Sequence, residues 1–154
     1  MLLNDLIAPK GVISSLRART PKQVLLDMSE LAARVSGVPA REIFDAVLQR
    51  ERLGPTGVGA GIAIPHGKLL NLKEIFAVFA RLERPIDFGA NDGAPVDIVC
   101  MLIAPESAGA DHLRALARIA RVLREPDFVA RLRRAKDASS LYLLLTQNAD
   151  SRAA

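Results

Sequence analysis

The residues with the most chemistry to offer lie between Arg50 and Lys68, in the run Arg-Glu-Arg-Leu-Gly-Pro-Thr-Gly-Val-Gly-Ala-Gly-Ile-Ala-Ile-Pro-His-Gly-Lys. One histidine, His66, follows a proline there, and Gly54, Gly57, Gly59, Gly61 and Gly67 supply five of the ten glycines in the chain. Glycine is needed where backbone takes positive φ or where another group must come close. A neutral imidazole carries a nitrogen lone pair near pH 7, so a histidine held in such a setting can act as a nucleophile. If the electrophile is phosphorus, the product is a phosphohistidine, and the protein's task is positioning and stabilising charge on the phosphoryl oxygens. Backbone N–H groups of the surrounding turns and a nearby arginine suit that charge. An ordinary loop histidine fits the same residues equally well.

Other chemistries are tested by spacing. A GxxxxGK[ST] loop requires glycine where Ile62 stands and Ser or Thr where Leu69 stands. A dinucleotide GxGxxG fails at Ile62 in one register and at Ile64 in the other. No nucleotide or other cofactor is expected. His66 and His112 are the only histidines, no HExxH spacing occurs, and a catalytic zinc takes three protein ligands, so no metal is expected. With one tyrosine and no tryptophan, nucleic-acid recognition by stacking has little to work with.

Several elements must hold this stretch in place. Thr20-Pro21-Lys22-Gln23 opens a helix as N-cap, first-turn proline and capping-box partner, and Val24, Leu25, Met28, Leu31, Ala32 and Val35 form its core face. Val12–Leu16 precedes it as a strand. A second helix starts at Pro39, carries Ile43, Phe44, Val47 and Leu48 inward, and runs out near Arg50 with Gly54 terminating it. Ile62-Ala-Ile64 reads as a short buried strand, leaving His66 in a loop at its end. Ile75–Leu82 and Val96–Ile103 are the strongest strands, the second nearly all apolar and therefore central, with Arg84-Pro85 and Gly89–Pro95 breaking the chain between them. A helix from Asp111 has Leu113, Leu116, Ala117, Ala120 and Leu123 as an apolar stripe and Arg114, Arg118 and Arg121 opposite. Phe128, Val129 and Leu132 mark another helix, and Ser140 to Thr146 a last one. Residues 147–154 are expected to fray. Strands interleaved with helices predict one α/β domain over 1–154, a three-layer α/β/α sandwich around a mixed sheet.

At 154 residues and half apolar, the chain buries roughly 70% of its unfolded surface. Its single cysteine, Cys100, sits in an apolar run, which points to inert core and a reducing, cytoplasmic setting. Neither a signal-like opening nor a membrane-length apolar run is present, so no membrane insertion is expected. The net charge of +4 is uneven: eight basic residues against three acidic ones from Asp111 to Lys136 suggest an acidic docking partner, or a solvated helix face.

Arg50-Glu51, Pro55-Thr-Gly-Val-Gly59, Gly61-Ile-Ala-Ile-Pro-His-Gly-Lys68, Pro85-Ile86-Asp87, Pro95-Val-Asp97 and Asp111-His-Leu113 together resemble the type-2 EIIA domain of the bacterial phosphotransferase system (fructose/mannitol type). The nitrogen-regulatory branch, EIIA-Ntr, is the nearest match, over about Leu3 to Thr146. The resemblance implies an α/β/α fold, a phosphotransferase component and a phosphorylated histidine at His66, with Nε2 as its reactive nitrogen. His112 falls on the family's second pocket histidine and Arg50 on its phosphoryl-pocket arginine. Lys68 and Gly67 adjoin the nucleophile, Lys68 contributing positive field. The resemblance also implies a histidine-phosphorylated donor, HPr-like or its nitrogen-branch counterpart NPr, no cofactor, and regulatory targets such as sensor kinases or potassium-transport proteins. Ala60 departs from the pattern, standing where some relatives carry asparagine. Because the chain shows one domain and no linker, a stand-alone regulatory phosphocarrier is expected. A sugar-specific EIIA passing phosphate to an EIIB is the variant within the same chemistry. A binding module that no longer turns over phosphate, and a metal hydrolase using both histidines, are the alternatives of other classes.

Overall fold

A computed structural model describes residues 3–148. The expected fraying concerns positions that lie, from 149 onward, outside those residues.

The sheet is organised on Val96–Pro105 (β6), the strand whose unbroken apolar character predicts a central place. It pairs antiparallel with Phe76–Ile86 (β5) on one side. On the other it pairs parallel with Ile62–Ala63 (β3) and His66–Leu69 (β4). Ile7–Leu16 (β1) adds to β5 in parallel as one edge, and Gly57–Gly59 (β2) closes the other edge antiparallel to β3. The sheet is therefore mixed.

Helices cover both faces. Pro21–Ser36 (α2) and Ala40–Leu53 (α3) pack on the side of Val78, Ala80, Val99, Met101 and Ile103. The other side, that of Ala77, Phe79, Ile98, Cys100 and Leu102, is covered by Leu3–Leu6 (α1), Ala110–Val122 (α4), Pro126–Arg134 (α5) and Ala138–Leu143 (α6). A final helical turn, Leu144–Asn148, continues α6. Alternate residues of β6 thus feed two separate cores, as the period-2 geometry of a strand requires. The α/β/α sandwich read from the sequence is the fold observed. Burial raises the Cys100 thiol to a pKa of about 12, which makes it inert core.

Local chemistry explains the helix ends. Thr20 Oγ1 accepts the Gln23 N–H at 3.1 Å, and Gly37, at φ 80°, closes α2 with its N–H on the Ala33 carbonyl. The reciprocal half of the expected capping box is not made. Gln23 Nε2 instead donates to Asp27 one turn on, at 2.7 Å.

Two strand boundaries differ furthest from expectation. β1 begins five residues earlier than Val12, with Pro9 accommodated because this is an edge strand whose pairing shifts between Ile7 and Val12. β5 runs through Arg84-Pro85 rather than ending there. Its register with β6 shifts between Arg81 and Ile86, and pairing with β1 stops at Leu82, so Pro85 withholds no N–H from a regular ladder.

Candidate functional site

His66 is the first residue of a strand, not part of a loop. Pro65 has no N–H to give to β6, so pairing lapses at Ile64 and Pro65. The partners on β6 nevertheless keep one offset throughout: Ile62 faces Ile98, Ala63 faces Val99, and pairing resumes with His66 on Leu102 and Gly67 on Ile103. Leu102 N–H bridges the gap by donating to the Pro65 carbonyl at 2.9 Å. The proline therefore divides one continuous register into two short strands, and the sequence run Ile-Ala-Ile-Pro-His reads as strand, break, strand.

Strand alternation then directs neighbouring residues to opposite faces. His66 lies toward α4, in step with Leu102. Gly67 lies toward α3, where an added Cβ would stand 3.2 Å from Ala46 and from Val47 N. Gly67 is a packing glycine that lets α3 approach β4. That approach brings the last turn of α3, with Arg50 and Glu51, to the rim of the site.

His66 Nδ1 lies 2.9 Å from the Ile64 carbonyl oxygen. A carbonyl only accepts, so Nδ1 carries the proton and the neutral ring presents its lone pair at Nε2. Burial holds the His66 pKa below its ordinary value; the Ile64 hydrogen bond and Glu51 oppose this, while Arg50 and Lys68 reinforce it. The uncharged, nucleophilic form is favoured.

The His112 ring centroid is 5.5 Å from that of His66, with the planes inclined by 56°. His112 is the third residue of α4 and is buried, so the start of a helix backs the pair as expected. Its Nε2 is buried and makes no hydrogen bond. An orphaned ring nitrogen of this kind is costly in a packed interior and suits a group that arrives during function. Burial first, then His66 and Lys68, keep its pKa low as well. Arg50 donates from Nη1 to the Gly54 carbonyl at 3.0 Å, and a guanidinium has five N–H donors, so others remain for an anion. Lys68 is exposed on β4 and acts on both rings through its charge.

Two adjoining depressions of about 430 and 460 Å³ share His66, Arg50 and Leu113. The first is otherwise lined by Pro55, Thr56, Gly57, Val58, Ile64, Leu116, Ala117 and Ala120; the second includes Lys68, Glu106 and His112. The apolar stripe of α4 is therefore divided between groove and core. Of that stripe, Leu113 and Ala117 are exposed, Leu116 and Ala120 are half-buried against the edge of the core, and Leu123 is buried, while His112, Ala115, Ile119 and Val122 supply the rest of the covered face. The helix is apolar over a wide arc, and periodicity alone does not say which part of the arc is covered. Leu113 is 66% exposed, Val58 44% and Leu53 82%, so three of the five exposed large apolar side chains among the described residues border His66. Among the described residues, no three His, Cys, Asp or Glu side chains gather as a metal-ligand set.

Two interactions had no signal in the sequence. Glu51 accepts from the Thr56 N–H at 3.3 Å and from the Thr56 hydroxyl. Arg133 on α5 forms a two-bond pair with Asp97 and donates to the Ala60 carbonyl, each contact at 2.9 Å.

Fold and groove together define an α/β/α domain in which half-buried His66 and buried His112 meet beside an exposed apolar rim. Residues 5–148 match the family described as phosphoenolpyruvate-dependent sugar phosphotransferase system, EIIA 2. The chain is 52% identical to a nitrogen regulatory protein of Bradyrhizobium diazoefficiens, covering 94% of this chain and 95% of that one. It is 40% identical to the nitrogen regulatory protein of Escherichia coli strain K12, covering 86% and 82%. The crystal structure of the nitrogen regulatory protein IIA-Ntr from Neisseria meningitidis superposes with a TM-score of 0.87 at 28% identity, over 92% of this chain and 97% of that one. The chain belongs to the type-2 EIIA family of the phosphotransferase system, and nitrogen regulatory proteins are the members it resembles.

Proposed function

We propose that the chain is a regulatory phosphocarrier whose His66 Nε2 accepts a phosphoryl group from a histidine-phosphorylated carrier protein, NPr- or HPr-like. The observation that carries this reading is the Nδ1–H bond to the Ile64 carbonyl, which leaves Nε2 as the free nucleophile. In the transfer, the Nε2 lone pair forms a bond to phosphorus as the donor's N–P bond breaks. The donor ring leaves with that electron pair as a neutral imidazole, keeping the proton on its other nitrogen. His66 keeps its own Nδ1 proton on Ile64 and becomes a phosphorylated ring, so no net proton is exchanged.

The incoming dianion meets Arg50 and His112. His112 takes a proton more readily beside that charge, and its buried Nε2 then has an acceptor. The exposed rim of Leu53, Val58 and Leu113 supports a protein donor rather than a small one, because contiguous apolar surface is the usual core of a protein interface. Similarity to nitrogen regulatory proteins supports control of target proteins by phosphorylation state over delivery to a sugar permease. On this reading the protein works in the cytoplasm, where its donors are charged from phosphoenolpyruvate. Sensor kinases and potassium-transport proteins remain the classes of target to test.

The test is intact-mass and peptide analysis after incubation with phosphoenolpyruvate, the first enzyme of the system and either NPr or HPr. One acid-labile phosphoryl group on the peptide holding His66, absent from His66→Ala, is the expected result. Full labelling of His66→Ala would assign the nucleophile elsewhere, and no labelling of folded protein by either donor would favour a pure binding module.

A further inference from the structure

We infer that Glu51 is a positioning residue for His66: it fixes Thr56, and through the Thr56–Ile64 hydrogen bond it holds the carbonyl that sets the tautomer of the nucleophile. The inference rests on the reading of His66 as phosphoryl acceptor. Four residues form an unbroken series of contacts. The Glu51 carboxylate, in the last turn of α3, accepts from both the backbone N–H and the hydroxyl of Thr56. The Thr56 carbonyl accepts the Ile64 N–H at 3.0 Å, and the Ile64 carbonyl accepts His66 Nδ1–H at 2.9 Å.

Each link is needed because of what surrounds it. Ile64 lies in the gap between β3 and β4, where neither strand's ladder holds it. Its N–H bond to Thr56 holds the peptide before it and so, with the buried Ile64 side chain and the Leu102 bond to Pro65, orients the Ile64 carbonyl. Thr56 in turn lies between α3 and β2, outside any helix or strand, yet is buried. A buried threonine in a loop takes its orientation from its hydrogen bonds, and both donors it offers go to Glu51. Glu51 also adjoins Arg50, so one helical turn supplies the phosphoryl-facing cation and the anchor of the nucleophile.

Other charged groups act on His66 without setting its tautomer. Arg50 on α3 and Lys68 on β4 make the ring less ready to take a second proton, and His112 on α4 stands beside it, but none of the three contacts Nδ1. Glu51 has both roles, and they separate experimentally. Glutamine keeps an acceptor for the Thr56 N–H and a donor for its hydroxyl but carries no charge. Alanine removes all of it.

The experiment combines ring ¹⁵N NMR of His66 with transfer kinetics from phospho-NPr, and with labelling by phosphoramidate, a small donor that needs no docking. In wild type the ring should be in the Nδ1–H form. Glu51→Ala should show a mixture of tautomers and a transfer rate lowered about tenfold at unchanged donor KM, within the roughly 100-fold that a 1 Å misplacement can cost. Glu51→Gln should restore the tautomer and bring the rate within about twofold of wild type, while its ring titrates at lower pH for want of the carboxylate. Should Glu51→Ala not fold, Thr56→Val, which removes only the hydroxyl link, takes its place with the same expected direction. Wild-type tautomer and rate in Glu51→Ala, or a Glu51→Gln as slow as alanine, would overturn the inference and leave the phosphocarrier reading standing. A wild-type protein labelled by neither donor would overturn both.

Discussion

Ala60 offers the cleanest test of the physical account of the hairpin beside the site. It connects β2 to β3 with Gly61, and both residues have positive φ, 56° and 84°. A two-residue loop with both central residues left-handed is the type I′ arrangement, for which Asn-Gly is favoured and alanine is not. The left-handed region costs an L-residue about 1–2 kcal/mol, and glycine escapes that cost while giving up ~0.5–1 kcal/mol of unfolded-state entropy. Ala60 is exposed, so its methyl contributes little packing. Its N–H to Asp92 and its carbonyl to Arg133 are backbone groups that survive substitution. Ala60→Gly should therefore stabilise by about 0.5–1 kcal/mol, a rise in Tm of about 1–4 °C for a domain of this size. Ala60→Asn should rise too, by less, because asparagine tolerates the region without glycine's freedom when unfolded. Differential scanning calorimetry at neutral pH measures both. A Tm for Ala60→Gly equal to or below wild type would show that the turn carries no strain and that the conformational argument is wrong.

Further expectations follow from other parts of the site. Gly67→Ala should destabilise by about 1–3 kcal/mol in chemical denaturation, since the new methyl drives α3 off β4; an unchanged midpoint would remove the packing role assigned to this glycine. Both histidines have folded pKa values below the ordinary 6.5, so as pH falls below about 6.5 the unfolded chain takes up protons that the folded chain refuses. Their contribution to stability is thus present above 6.5 and is lost on acidification, and urea midpoints from pH 8 to 5 should fall less in His66→Gln/His112→Gln than in wild type. Leu113→Glu should leave Tm nearly unchanged and phosphoramidate labelling intact while slowing transfer from a protein donor at least tenfold, well above the effect usual for an exposed position; equal transfer would move the docking face away from α4.

Much of this molecule is legible in the sequence, and the exceptions share a cause. The central place of β6 shows in its continuous apolar run, and the ends of α2 show in Thr20, Pro21 and Gly37, because those signals act between neighbours in the chain. His66, His112 and Arg50 are brought together as the motif resemblance implies. The exposure of Leu113 and Ala117 is not legible, since a helix that is apolar over a wide arc gives the same periodicity whichever part of the arc is buried. Nor are the ties of Ala60 to Asp92 and Arg133, which span 32 and 73 residues. The proline at 65 was the subtlest case. It reads as a stop, yet the tertiary register runs straight past it. Glu51 could be read only as a helix-end charge, because its partner Thr56 lies across a turn whose path depends on the packing of α3 against Gly67.

The unchanged register on either side of Pro65 also bears on how this domain could report its own state. Because Ile62, Ala63, His66 and Gly67 all keep step with the central strand, the backbone under the nucleophile has no neighbouring register to slip into without turning every side chain to the wrong face. On the proposed function, a phosphoryl group arriving at His66 would land on a fixed floor. What would change is the top of the groove, where two negative charges would replace a lone pair between Arg50, Lys68, His112 and an apolar rim. A partner that distinguishes the two states would then sense electrostatics and steric fill at one spot on the surface, and the domain would behave less like a hinge than like a tile whose face has been repainted.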